Sequence, residues 1–289
     1  LSNKSKKYWK QRYSLFSKFD EGILMNQELW FSVTGERVAI FIAKLLRAYY
    51  QDGFQDSVAA VDQDQVDLEY DPAAAAAAAA GGTEQTQQGE CDGEQGDNNI
   101  QQNIAGITIL DVFCGGGGNT IQFARRFDRV FALDFNSENI YCTKNNCGVY
   151  GVADHVECVE GDWTDEGVRS WFKSAATAAG AGQEDDDDIE DDRAPVDVIF
   201  ASPPWGGPGY KNTDVFDLDY LLPLPLKELL ETFFIITNDV CLFLPRNSDV
   251  KQLSDVTKEL LGPEARCRVV YAYDNGFLKG MFVLFGRFV

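Results

Sequence analysis

Four stretches combine residue types and spacing that can do chemistry. The first is Leu110-Asp111-Val112-Phe113-Cys114-Gly115-Gly116-Gly117-Gly118-Asn119-Thr120, an apolar run ending in an acid that passes through a Gly-rich turn into a helix-compatible segment. Glycines let backbone N–H groups come close to a ligand that side chains would block. A dinucleotide site would want G-x-G-x-x-G, but counted from Gly115 the last position is Thr120, and no Gly-Lys-Ser/Thr follows to make a P-loop. Asp111 is more telling, because a carboxylate at the strand end repels a pyrophosphate and welcomes an ammonium. S-adenosylmethionine carries an ammonium and a sulfonium and no phosphate. Twenty-three residues on, Asp134 closes a second strand-like run, where it can accept from both ribose hydroxyls, and Phe135 beside it can pack on adenine. Asp162, after a third run, is placed to accept from the adenine amino group. Each acid alone reads equally as a helix N-cap. Three at successive strand ends behind a Gly-rich turn favour an adenosylmethionine site.

The fourth stretch is Ser202-Pro203-Pro204-Trp205-Gly206-Gly207-Pro208. Two prolines fix the backbone and remove two N–H groups, leaving carbonyl acceptors aimed into a cleft. Acceptors in a rigid turn can bind the hydrogens of an exocyclic amino group and orient its lone pair for in-line displacement at a methyl sulfonium. The indole that follows can stack on the base. Alone, Pro-Pro-Trp is equally a structural turn; behind an adenosylmethionine-type half-site it points to amino-group methylation.

These residues need elements that hold them at strand ends. Strand-like runs cover 107–112, 129–134, 155–159 and 196–201, separated by helix-compatible stretches at 119–127, 137–150 (with Ser137 as N-cap) and 165–173. A helix at 224–238, a strand at 240–244, a helix at 248–261 and strands at 267–273 and 280–285 follow. Strict alternation predicts an α/β fold with a doubly wound, mostly parallel sheet and ligands at the strand C-termini. The last two strands, joined by Asp274-Asn275-Gly276, predict an antiparallel hairpin. Ahead of the sheet, Tyr8, Trp9, Tyr13, Phe16 and Phe19 recur at helical spacing among Lys4, Lys6, Lys7, Lys10, Arg12 and Lys18, with no acid before Asp20. This predicts an amphipathic basic helix whose positive face meets a polyanion.

The 289 residues, 45% hydrophobic and 12% aromatic, exclude fibrous, collagenous and disulfide-stapled classes. A net charge of −21 argues at first against a nucleic-acid partner. Its distribution reverses that, because 52–99 holds 12 acids and no base, and 183–193 holds 8 acids and one Arg. Both segments read as solvated low-complexity insertions, the first as disordered. Seven cysteines without a C-x-x-C pair suit a reducing compartment, and His155 as the sole histidine disfavours zinc and leaves no Ser-His-Asp triad. No run approaches a membrane span and nothing reads as a signal peptide, so a soluble intracellular protein is expected. The chain opens on Leu1 rather than Met, as a partial chain does.

Five motifs in order carry a family resemblance. Residues 7–13 (Lys-Tyr-Trp-Lys-Gln-Arg-Tyr), 30–34 (Trp-Phe-Ser-Val-Thr), 111–115 (Asp-Val-Phe-Cys-Gly) with 117–124, 202–208 and 244–247 (Leu-Pro-Arg-Asn) together resemble the trimethylguanosine synthase catalytic domain, an RNA cap guanosine-N2 methyltransferase, over about residues 7–286. The resemblance implies a Rossmann-like class I methyltransferase domain at 104–289 with a loop insertion at 183–193. It also implies an N-terminal helical extension at 1–51 forming a cap and cofactor lid, and an insertion at 52–103. The implied reaction adds two methyl groups to the 2-amino nitrogen of a 7-methylguanosine cap, from S-adenosylmethionine, releasing S-adenosylhomocysteine and needing no metal.

Carried over residue by residue, Trp205 stacks on the cationic base, a cation-π gain of roughly 0.5 to 2 kcal/mol over an unmethylated cap. Ser202 and the Pro203 carbonyl hold the amino group, Lys7 and Arg246 engage cap phosphates, and Tyr210 closes the pocket. Phe16 and Thr34 approach the cofactor beside Asp111, Gly115, Gly117, Asn119, Thr120, Asp134, Phe135 and Asp162. The expected partners are capped small nuclear and nucleolar RNAs and their ribonucleoprotein recruitment factors, with no membrane, for a monomer in the nucleus or nucleolus. Gly116, Gly35 and Asn136 depart from the family pattern, weakening helix starts or loop rigidity without removing a ligand. An adenine or glutamine amino-methyltransferase, and a catalytically silent cap- or RNA-binding module of the same fold, stay open as alternatives.

Overall fold

β-Branched and apolar runs bounded by Gly, Asp and Asn turns become seven strands in a computed structural model of the chain. The structure describes residues 9–51, 106–178, 195–206 and 213–289. The expected insertions at 52–103 and 183–193, together with Lys7 and Tyr210, lie outside the described residues.

The strands are β1 (Thr108–Val112), β2 (Arg129–Asp134), β3 (Val156–Glu160), β4 (Val198–Ala201), β5 (Val240–Leu244), β6 (Arg268–Asp274) and β7 (Phe277–Leu284). They form one sheet in the order β3-β2-β1-β4-β5-β7-β6. The first five are parallel, and β7 lies antiparallel between β5 and β6. Asn275 and Gly276 both have positive φ, 52° and 74°, as the expected two-residue hairpin turn requires.

Among the described residues, three helices precede the sheet, α1 (Arg12–Leu15), α2 (Leu29–Ser32) and α3 (Glu36–Gln51). Five more interleave with the strands, α4 (Gly118–Ala124), α5 (Ser137–Tyr150), α6 (Glu166–Ala178), α7 (Leu226–Phe234) and α8 (Val250–Leu261). Successive strand side chains point to opposite faces. Ile109 therefore joins the core under α3, α4 and α5, while Leu110 and Val112 join the one under α6, α7 and α8. Asp111 shares the face of Ile109, and both faces of β1 are buried, as a parallel sheet covered on two sides demands. No helix among the described residues is long and apolar enough to cross a membrane.

The extension is built differently from expectation. Among the described residues, the stretch read as one basic helix holds only the single-turn α1 and a 3-10 turn at Phe19–Glu21, with Phe16 extended between them. That break folds Phe19 and Trp30 against Trp9, with centroids 5.5 to 5.8 Å apart. Two of the cations are also paired, Arg12 with Asp20 at 3.7 Å and Lys18 with Glu21 at 3.1 Å, so the positive face is partly neutralised. The helical spacing of the aromatics thus serves an apolar cluster across a chain reversal. Val38, Ile42 and Leu46 of α3 share one core with Ile109, Phe123 and Phe200, so extension and sheet pack as one body.

At the amino edge of the sheet, Asp128 fastens two distant parts of the chain. One carboxylate oxygen accepts from the Ile107 N–H at 2.8 Å and lies 3.5 Å from the Arg47 guanidinium of α3. Nearby, the Tyr50 hydroxyl donates to Asp239 at 2.8 Å. The end of α3 and the start of β1 are therefore held side by side.

Candidate active site

β1 and β4 are neighbours, and their register pairs Val112 with Ala201. The Gly-rich turn after β1 and the Ser202-Pro203-Pro204-Trp205 turn after β4 thus leave the sheet at the same level, on strands about 4.8 Å apart. This register brings the two halves of the expected site together.

Asp111 is fully buried. The Thr120 hydroxyl donates to its Oδ2 at 2.5 Å, while Oδ1 has no hydrogen-bond partner. Burial raises its carboxyl from the ordinary 3.8 to about 7, against the opposing pull of the Thr120 bond. Beside Thr120, Asn119 donates to the Thr34 hydroxyl at 3.1 Å, and its own Oδ1 is likewise buried without a partner. Unpaired buried acceptors cost free energy unless a donor arrives. Two such oxygens at this turn fit a multiply donating cation, the character of the adenosylmethionine ammonium.

Asp134 is committed differently. It accepts from the Gly115 and Asn136 N–H groups, both at 2.9 Å, and from the Asn139 amide at 3.2 Å. A carboxylate has about four acceptor positions, so these bonds leave about one for a ribose hydroxyl. Burial raises its pKa and the two backbone bonds oppose the shift. Phe135 next to it is 66% exposed, as a ring awaiting a flat partner would be. One oxygen of Asp162 is taken by the N–H and hydroxyl of Thr164, both at 2.8 Å, so the turn-forming role is realised there on that oxygen.

Gly115 and Gly117 have positive φ, 56° and 81°. The space at Gly116 and Gly118 goes chiefly to the protein itself. A Cβ on Gly116 would lie 3.1 Å from Leu29, and one on Gly118 would lie 3.0 Å from Val33 and 3.1 Å from the Thr34 carbonyl. The extension therefore sits on the turn, which accounts for glycine where the family pattern has Val. Thr34 lies at the turn, its hydroxyl accepting from Asn119. Phe16 is 2% exposed with its ring 6.3 Å from Tyr150, at the opposite end of α5 from Asn139, so it supports the extension from within rather than presenting an open face.

A polar stripe on α5 escaped the sequence reading. Asn139, Thr143 and Asn146 are buried, one helical turn apart. Thr143 donates to the Gly115 carbonyl at 2.7 Å and Asn146 to the Gly116 carbonyl at 2.9 Å. Asn146 also accepts from the Leu24 N–H at 2.8 Å and donates to the Leu24 carbonyl at 3.0 Å, while Asn26 donates to Asn139 at 2.7 Å. The signal was present as amides and a hydroxyl at helical spacing, which ordinarily marks a solvated face. Asn136, rather than Ser137, caps this helix through the Glu138 N–H at 2.9 Å, so its departure from the family pattern strengthens the helix start.

In the other half-site Pro203 is buried and Ser202 half-buried. Trp205 donates its indole N–H to the Phe243 carbonyl at 3.2 Å and meets the Phe243 ring edge-on at 5.3 Å. Arg246, exposed just after β5, donates to the Leu278 carbonyl at 3.5 Å.

Comparison with known proteins bears on this arrangement. A family model described as RNA cap guanine-N2 methyltransferase matches residues 106–288. Trimethylguanosine synthase of Saccharomyces cerevisiae is 36% identical over 283 residues, 97% of this chain and 67% of that protein. Trimethylguanosine synthase of Schizosaccharomyces pombe is 32% identical over 250 residues, 86% of this chain and 74% of that protein. Among solved structures, the O-methyltransferase from Bacillus cereus in complex with SAH aligns at a TM-score of 0.37 and 15% identity, over 63% of this chain and 74% of that one. The chain belongs to the RNA cap guanine-N2 methyltransferase family, whose reaction is adenosylmethionine-dependent methylation of the cap guanine 2-amino group.

Proposed function

We propose that this protein methylates the 2-amino group of a 7-methylguanosine cap twice, giving the 2,2,7-trimethylguanosine cap of small nuclear and nucleolar RNAs, as a monomer acting in the nucleus. The observation that carries the reading is the side-by-side exit of the Asp111 and Trp205 turns from paired strands.

When bound, adenosylmethionine supplies an electrophilic methyl carbon. Asp111 and Asn119 hold the ammonium with their unpaired oxygens, and Asp134 takes a ribose hydroxyl on its remaining acceptor position. Phe135 covers the adenine, and the second oxygen of Asp162 accepts from the adenine amino group. Ser202 and the Pro203 carbonyl accept from the 2-amino hydrogens and so aim the nitrogen lone pair. Trp205, its ring pinned to β5, stacks on the cationic base. Arg246 takes the phosphates, and the family resemblance adds Lys7 to that role and Tyr210 to the cap pocket. None of these side chains needs to act as a strong base, because the nitrogen becomes acidic only as the methyl arrives and its proton can then leave to water. Catalysis is positioning and exclusion of water.

Labelled adenosylmethionine mixed with a 7-methylguanosine-capped or plain guanosine-capped dinucleotide tests the reading. Label should enter the first strongly and the second weakly, with two methyl groups per cap at completion. Equal labelling of both would remove the cation-stacking argument, and cap binding without labelling would favour a silent binding module.

A further inference from the structure

The last ladder pair between β5 and β7 is Leu244 with Met281, so Phe277 to Gly280 run past the carboxyl end of β5. At about 3.3 Å per residue they project about 13 Å above the edge where the site lies. The tip of the β6–β7 hairpin carries an unusual set of side chains. Phe277 is 60% exposed, although the adjoining Asn275-Gly276 turn needs no aromatic there. The Lys279 ammonium lies 5.7 Å from its ring centroid and 3.7 Å from Asp274. Arg37, at the start of α3, donates to Asn275 at 3.0 Å and lies 3.5 Å from Asp274. Arg246 reaches the Leu278 carbonyl.

A single exposed Phe is ordinary on a protein surface. Three cations gathered at one hairpin, Lys279 and Arg37 around the Asp274 carboxylate and Arg246 at the Leu278 carbonyl, are not. Contacts also connect the tip to the site. The Phe243 ring that braces Trp205 occupies the space a side chain on Gly280 would fill, three residues from Phe277. Arg246, assigned to the cap phosphates, touches the same strand.

We propose that the hairpin tip is a nucleotide subsite: Phe277 stacks on the base that follows the cap triphosphate, and Lys279 and Arg37 take the phosphates beyond it. The proposal rests on the cap-methylation reading. An aromatic flanked by cations is the recurring solution for single-stranded nucleic acid, and its stacking tolerates any base. The occupant is thus the first transcribed nucleotide of the capped RNA, of no fixed sequence.

The test compares 7-methylguanosine triphosphate, which has no following base, with a 7-methylguanosine-capped dinucleotide and a capped pentanucleotide. Phe277→Ala should raise KM for the capped dinucleotide by about tenfold and leave KM for the triphosphate unchanged, and Phe277→Trp should restore the former. Lys279→Glu should raise KM for the capped pentanucleotide more than for the dinucleotide, with a shallower salt dependence. Equal KM changes for all three substrates, or none for any, would overturn the subsite. Failure of the unaltered protein to methylate any of them would instead overturn the cap reading and the subsite with it, visible before a variant is made.

Discussion

The indole N–H of Trp205 donates to the carbonyl of Phe243 at 3.2 Å, and the two rings meet edge to face at 5.3 Å. Phe243 in turn stacks on Phe282 at 4.6 Å with an interplanar angle of 28°. The indole proposed to stack on the cap is thereby referenced to the β5–β7 pair, where the parallel part of the sheet meets its antiparallel edge. Its orientation is set by strand geometry.

Trp205→Ala should lower kcat/KM for the capped dinucleotide by roughly a hundredfold or more, since base stacking and the cation-π term are lost together. Affinity for adenosylmethionine, measured by calorimetry, should be nearly unchanged. A large loss of cofactor affinity would count against the assignment.

Gly280→Ala reaches the same ring from behind. Its Cβ would lie 2.6 Å from the Phe243 ring and 2.8 Å from the Leu244 carbonyl, so the ring must move. Overpacking of this kind costs about 1–3 kcal/mol. The cap KM should rise while the dissociation constant of adenosylmethionine holds, an outcome that uniform destabilisation would not produce.

Asp111 gives a pH dependence. With its carboxyl raised to about 7 by burial, the group contributes stability that is fully present below the ordinary 3.8 and is lost as pH rises through 7. The cofactor ammonium needs the ionised form, so its affinity should fall by about tenfold per unit as pH drops below 7. The rise in melting temperature on adding adenosylmethionine should be larger at pH 8 than at pH 6. In Asp111→Asn that rise should be lost, with the cofactor-free melting temperature at pH 8 no lower than before.

Asn146→Ala should detach the extension from the Gly-rich turn. It strips partners from the Leu24 N–H, the Leu24 carbonyl and the Gly116 carbonyl, and a buried unsatisfied group costs about 1–3 kcal/mol. Urea unfolding should show a loss of about 3 kcal/mol, and the KM for adenosylmethionine should rise.

The strand ends that carry Asp111, Asp134 and Ser202 were legible because β-α alternation fixes where a doubly wound sheet puts its ligands. The hairpin was legible from Asn275-Gly276. Three features were not. The aromatics from Trp9 to Phe19 keep helical spacing, but Phe16 is extended and the rings cluster with Trp30 across the break. Asn139, Thr143 and Asn146 look like a wet helix face until the Gly-rich turn and the extension arrive to use them. The bracing of Trp205 by Phe243 and Gly280 joins strands far apart in sequence, where local pattern carries no information.

Asp128 clamps the end of α3 to the start of β1 at the sheet edge opposite the site. Whatever chain joins those two points spans ends already held together by the folded body. Closing such a connector costs entropy that grows only with the logarithm of its length, about 0.6 kcal/mol for each doubling. Evolution can therefore lengthen, shorten or rewrite the sequence between them almost without consequence for stability. The catalytic edge, a full strand length away, is insulated from that drift.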